Sequence, residues 1–108
     1  MDQKNIQVIT TVSERSDAEK ITRKLLEERL AACVQIIGPI TSSYWWRGKI
    51  ETEEEWLCFI KSNETHYDAV EKNIKEVHPY EVPEIIALPI ITGFPDYLAW
   101  LNGELKRL

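Results

Sequence analysis

Leu30-Ala31-Ala32-Cys33-Val34-Gln35-Ile36-Ile37-Gly38-Pro39-Ile40-Thr41-Ser42-Ser43-Tyr44-Trp45-Trp46, followed by Arg47-Gly48 and a return from Lys49 to Ser62, decides the fold. Leu30 to Ile37 is almost continuously apolar, Gly38-Pro39 breaks it, and an extended pattern resumes at Ile40. This reads as one long strand with a bulge or bend at Gly38-Pro39. Arg47-Gly48 fits a tight turn, so Lys49 to Ser62 is the returning strand of a long hairpin. With Arg47 and Gly48 as the loop, paired residue numbers sum to 95, setting Cys33 against Ser62 and Cys58 against Ile37. The two cysteines are then about 13 Å apart along the strands, whereas a disulfide spans roughly 4.4–6.8 Å between Cα atoms.

Working outward, Ile6 to Val12 is a β-branched first strand. Ser16-Asp17-Ala18-Glu19 matches a capping box, and the helix it opens carries Ala18, Ile21 and Leu25 on its apolar face to about Arg29. Asn63 is an N-cap for a second helix, in which Tyr67, Val70, Ile74 and Val77 share one face. Glu84 to Ile91 is a short strand in which Pro89 points to an edge or a bulge, and a last helix runs from Asp96 to Asn102, closed by Gly103. The order strand, helix, strand, strand, helix, strand, with an added C-terminal helix, is an α+β, ferredoxin-like split βαβ sandwich spanning residues 1–108 as one domain.

Two helices cover one face of such a sheet. The other face should then be polar, yet Leu57 and Phe59 alternate with Trp56, Cys58 and Ile60, and Ile85 to Ile91 is apolar on both parities. A seven-residue C-terminal helix covers little of a four-stranded sheet, so another copy of the chain is the expected cover. Tyr44, Trp45, Trp46 and Trp56 are too many aromatics for one small hairpin to bury alone and are the candidate subunit-interface residues. Lys49 is placed to meet Trp46 across the turn as a cation-π pair.

Composition bounds the partners. The 108 residues carry a net charge of -5 with no basic cluster, which argues against a nucleic-acid partner. The polar start Met1-Asp2-Gln3-Lys4-Asn5 and the lack of a long apolar run point away from a signal peptide or membrane span. Cys33 and Cys58 read as free thiols in a reducing compartment, and the expected location is cytoplasmic.

His78-Pro79-Tyr80-Glu81-Val82-Pro83-Glu84 places an imidazole, a phenol and two carboxylates in a stiff connector. It is either a ligand site, with His78 the metal-ligand candidate, or a rigid corner whose histidine bonds a backbone carbonyl. Lys61 could meet this loop on a neighbouring subunit, making Lys61, His78, Tyr80 and Glu81 the candidate pocket for an anion or metabolite. His66 is expected in solvent. The Glu51, Glu53, Glu54 and Glu55 run reads as a solvated strand face that discourages stray edge pairing.

Glu28 to Cys33, Ser43 to Glu51, Phe59 to Ser62, His78 to Ile85 and Asp96 to Leu101, in this order and spacing, resemble the CutA divalent-cation-tolerance family over nearly the whole chain. The resemblance implies a ferredoxin-like homotrimer, architectural likeness to PII-type signalling proteins, no catalysis and no required cofactor. It also implies copper or another divalent cation as candidate ligand, with His78 in the metal role. Some members carry a first-strand cysteine where this chain has Thr10, and threonine is a poor substitute for a soft copper ligand.

The same topology serves three other functions. A trimeric sensor of a small anionic metabolite would use the same pocket. An acylphosphatase-like hydrolase needs an arginine on a phosphate cradle, and Ser13-Glu14-Arg15-Ser16 offers Arg15 without the glycines. An RNA-binding module would show first-strand aromatics beside basic charge, and neither is present.

Overall fold

The computed structural model describes residues 4–108; Met1, Asp2 and Gln3 of the polar start lie outside the described residues. The elements are β1 (Asn5–Val12), α1 (Arg15–Glu27), β2 (Cys33–Trp46), β3 (Lys49–Asn63), a 3-10 turn (Glu64–His66), α2 (Tyr67–Val77), β4 (Ile85–Pro89) and α3 (Pro95–Glu104). The sheet order is β2-β3-β1-β4, with every neighbouring pair antiparallel. This is the expected α+β, ferredoxin-like arrangement, and β4 is an edge strand, one of the two placements its proline allows.

The hairpin turn has positive φ at both Arg47 and Gly48, the geometry whose twist matches the flanking strands. Pairing follows the sum of 95 from Trp46 opposite Lys49 to Ile40 opposite Glu55, then slips by one to Ile37 opposite Leu57. Gly38 and Pro39, joined by a cis peptide, are thus two residues set against Trp56. Below this bulge the expected pairings are corrected: Cys33 faces Lys61 and Cys58 faces Ile36. Both cysteines are free. Glycine is needed at the bulge because a Cβ on Gly38 would lie 2.6 Å from Trp56 Cε3.

Two other boundaries differ from expectation. The helix α1 starts at Arg15, and the Glu14 carbonyl accepts from the amides of Asp17 and Ala18, so Ser16 falls inside the first turn and no side chain caps the helix. The helix α3 runs through Gly103 to Glu104, with Pro95 in its first turn. Asn63 caps the 3-10 turn that leads into α2, accepting the His66 amide, and not α2 itself, whose N-cap position is His66.

One sheet face meets α1 and α2. Ile6, Val8 and Val12 of β1 and Cys58 and Ile60 of β3 pack against Ala18, Ile21, Leu25, Val70 and Ile74. Each fully buried aliphatic side chain in such a core contributes about 1.5–3 kcal/mol. Thr10 is wholly buried in this layer and its Oγ1 has no hydrogen-bond partner. Thr10→Val, nearly isosteric, should therefore raise stability by about 1 kcal/mol, measured as a higher urea midpoint with unchanged slope.

The opposite face carries Ile9, Phe59 and Ile86 in one cross-strand row, with Ile37, Leu57 and Leu88 beside it. The helix α3 docks at the Asn63 end, through Asn63 Nδ2 to Asn102 Oδ1 at 3.2 Å, and leaves Ile37, Ile86 and Leu88 42–46% exposed. Beyond Val12 opposite Trp56 the hairpin has no third strand, so it projects as a two-stranded arm from a chain 46 Å long.

Candidate functional site

Where this arm leaves the sheet it adjoins the connector between α2 and β4. The two enclose a cavity of about 790 Å³ whose lining includes Tyr44, Trp46, Glu51, Glu53, Glu55 and Tyr80, with Glu81, Val82 and Glu84 along the connector. The register builds the glutamate row. Tyr44 faces Glu51, Ser42 faces Glu53 and Ile40 faces Glu55, so these share one face of the arm while Glu54 falls on the other.

Glu55, expected as part of a solvated run, is only 5% exposed. Its Oε2 accepts a 2.6 Å hydrogen bond from the Tyr80 hydroxyl. Burial, and then the bond to Glu55, push the Tyr80 phenol well above its ordinary value, so Tyr80 is the donor at any neutral pH. Tyr80→Phe removes the hydroxyl that donates to a buried carboxylate and should cost about 1–3 kcal/mol, read from chemical denaturation.

Both ring nitrogens of His78 are occupied. Nε2 donates to the Thr11 carbonyl at 2.9 Å, and Nδ1 accepts the Tyr80 amide at 3.1 Å. The two rings meet edge to face, 4.8 Å between centroids. Burial lowers the His78 pKa below its ordinary 6.5, outweighing the Thr11 bond and the charges of Asp17 and Glu55, which raise it. The fold thus favours the neutral ring, and the unfolded chain takes up the proton first as pH falls. This contribution to stability is full above pH 6.5 and is lost as pH falls through the folded-state value. His78→Gln should flatten that part of a denaturation-versus-pH profile.

Of the four pocket candidates, His78 and Tyr80 are in contact and Glu81 follows them on the connector. Lys61 is not near them within one chain. It faces Gln7, whereas His78 bonds Thr11, four residues or about 13 Å further along β1. Lys61 Nζ donates to Gln7 Oε1 and, at 3.1 Å, to Gln35 Oε1, and lies 5.6 Å from the Phe59 ring centroid.

Of the four aromatic candidates, Tyr44 and Trp46 are partly exposed on the cavity face, and Trp45, 72% exposed, pairs with Ile50 on the reverse of the arm. Trp56 lies apart from them, packed on Gly38 and the core, with the Arg15 guanidinium 5.2 Å from its centroid. The cation over Trp46 is Arg47, at 5.4 Å, in place of the expected Lys49.

His66 is corrected from solvated to buried. The 3-10 turn directs its ring inward, with Nδ1 2.6 Å from Asn63 Oδ1 and Nε2 2.6 Å from the Lys106 carbonyl, so it anchors the C-terminal segment.

These placements do not form a closed metal site within one chain. Among the described residues no three His, Cys, Asp or Glu side chains converge as ligands. His78 has no free lone pair, and burial pushes the Cys58 thiol up to about 11, away from the thiolate that a soft metal requires.

A profile described as CutA1 divalent ion tolerance protein matches residues 6–104. The chain belongs to the CutA1 family. It is 39% identical over 99 residues to the divalent-cation tolerance protein CutA of Pectobacterium atrosepticum, covering 92% of this chain and 90% of that one. It is 41% identical over 103 residues to the chloroplastic Protein CutA 1 of Oryza sativa, covering 95% of this chain but only 58% of the rice protein's length. The crystal structure of CutA1 from Oryza sativa superposes with a TM-score of 0.94 at 40% identity, covering 97% and 96% of the two chains. The structure of the periplasmic divalent cation tolerance protein CutA from Archaeoglobus fulgidus gives a TM-score of 0.91 at 35% identity, covering 94% and 99% of the two chains. CutA1 proteins thus occur under more than one location. Among the described residues of this chain no helix is long and apolar enough to cross a membrane.

Proposed function

We propose that this CutA1 chain acts in divalent-cation tolerance as a non-catalytic, cytoplasmic homotrimer of single-domain subunits, with its binding site in the cleft beside the arm. The largely uncovered apolar sheet face carries this reading: Ile37, Ile86 and Leu88 are each more than 40% exposed on a face of which α3 covers only the Asn63 end. The free cysteines, one of them buried, are consistent with a reducing compartment.

Lys61 of one subunit, with His78, Tyr80 and Glu81 of the next, remains the proposed pocket set. The cleft supplies carboxylate and phenol oxygens. That donor set suits a hard divalent cation better than cuprous copper, with His78 serving to shape the connector. A PII-like role with an anionic metabolite has less support, because the cleft is lined with glutamates. A hydrolase reading has none in Arg15, whose guanidinium stacks on Trp56 and pairs with Glu19 at 3.8 Å.

Light scattering of the purified protein comes first, and a monomer would refute the assembly. Calorimetric titration with copper, zinc, magnesium and nucleotides follows, in wild type and His78→Ala. Divalent heat retained by the variant supports oxygen ligation, heat lost with the imidazole restores His78 as a ligand, and no heat from any cation removes direct metal binding from the proposal.

A further inference from the structure

Among the described residues two charge groups have no ion-pair partner, and they sit at opposite ends of one sheet face. Lys61 is half-buried between Ile9 and Phe59 on one side and the Asn63 end on the other, and its hydrogen-bond partners are the neutral amides of Gln7 and Gln35. The ion pairs among the described residues are Arg15–Glu19, Lys24–Glu76, Arg29–Glu104 and Lys106–Glu28; none involves Lys61 and none involves a glutamate of the cleft. Glu51, Glu53, Glu81 and Glu84 therefore line a cleft of about 790 Å³ with no ion-pair partner among the described residues, and Glu55 beneath them accepts a hydrogen bond from the neutral Tyr80 phenol.

In a lone chain both arrangements tolerate water. Once the apolar face carrying Lys61 is covered, an ammonium held only by amide oxygens is costly, since a buried charge is retained only when paired. Lys61 cannot reach the cleft of its own chain, because Lys61 and Glu55 are six residues apart on β3, about 20 Å. A second copy brings both together. We infer that Lys61 of one subunit enters the hairpin cleft of the next and is the counter-ion of its glutamates, so that the site proposed above is incomplete in a single chain. A contact between unlike patches, repeated head to tail, closes into a trimeric ring when each step rotates by about 120°, a third of a turn.

This rests on the trimer reading, and the test separates the two. Trimers assembled from mixed ordinary and 15N-labelled chains are treated with a zero-length carbodiimide, which joins an amine to a carboxylate only in direct contact, and the peptides are weighed. Cross-links from Lys61 to the 51–55 or 81–84 segment in mixed-isotope pairs are expected. They should vanish in Lys61→Met. Lys61→Glu, adding a like charge to the cleft, should raise the trimer dissociation constant at least about tenfold. A trimer in which Lys61 gives no inter-chain cross-link, or whose Lys61→Glu variant dissociates as wild type does, overturns the pairing alone. A monomeric wild type overturns the assembly reading beneath it.

Discussion

Ile86→Glu is expected to yield a folded chain that no longer assembles. Ile86 shares a cross-strand row with Ile9 and Phe59 on the face away from the helices and is 46% exposed in the single chain. A glutamate there stays hydrated in the monomer, so the core beneath α1 and α2 is untouched. In the proposed trimer the same carboxylate would be forced among aliphatic groups of a neighbour with nothing to pair it, which costs several kcal/mol at each equivalent interface. Light scattering should fall from three chain masses to one, while far-ultraviolet circular dichroism keeps the native shape. A variant that remains trimeric would mean that this face is not the interface.

Gly38→Ala is expected to lower stability by about 2 kcal/mol, within the usual range for overpacking. The new methyl would lie 2.6 Å from Trp56 Cε3, 2.9 Å from its Cδ2 and 3.2 Å from the Glu55 carbonyl oxygen. The ring cannot swing aside cheaply, because the core holds one side and the Arg15 guanidinium lies 5.2 Å from its centroid. The strain falls at the bulge where the arm leaves the sheet, next to the Glu55 that Tyr80 holds. A lower urea midpoint should therefore be accompanied by a change in tryptophan fluorescence. Gly38→Ala with wild-type stability would show that the bulge relaxes at no cost.

Most of the fold was legible because its signals are local. Alternation over Ile6 to Val12, the Tyr67, Val70, Ile74 and Val77 spacing, and the Arg47-Gly48 turn each constrain only near neighbours in the chain. The hairpin register was legible down to Ile40 for the same reason, since the turn sets it. Below Gly38-Pro39 it was not. A bulge was expected there, but whether it would slip the pairing depends on Trp56 claiming the space above Gly38.

The site was read less fully. His78 bonds a backbone carbonyl, one of the two readings left open for it, and the pairing of Tyr80 with Glu55 was missed. A signal existed: the sum of 95 already places Glu51, Glu53 and Glu55 on one face with Tyr44. It was masked by Glu54, which makes the stretch look like a uniform solvated run. His66 was misplaced because its burial depends on the Lys106 carbonyl, 40 residues away.

By itself, then, the sequence determined the element order, the ferredoxin-like class, the length of the arm and the surplus of apolar residues on the sheet. Only the tertiary structure decided which groups meet: the phenol over Glu55, the imidazole between Thr11 and Tyr80, and the distance that keeps Lys61 from the glutamates of its own chain. Periodicity follows from backbone geometry that every residue carries locally. Contacts between distant side chains depend on how separate elements pack, and no stretch of the chain encodes that alone.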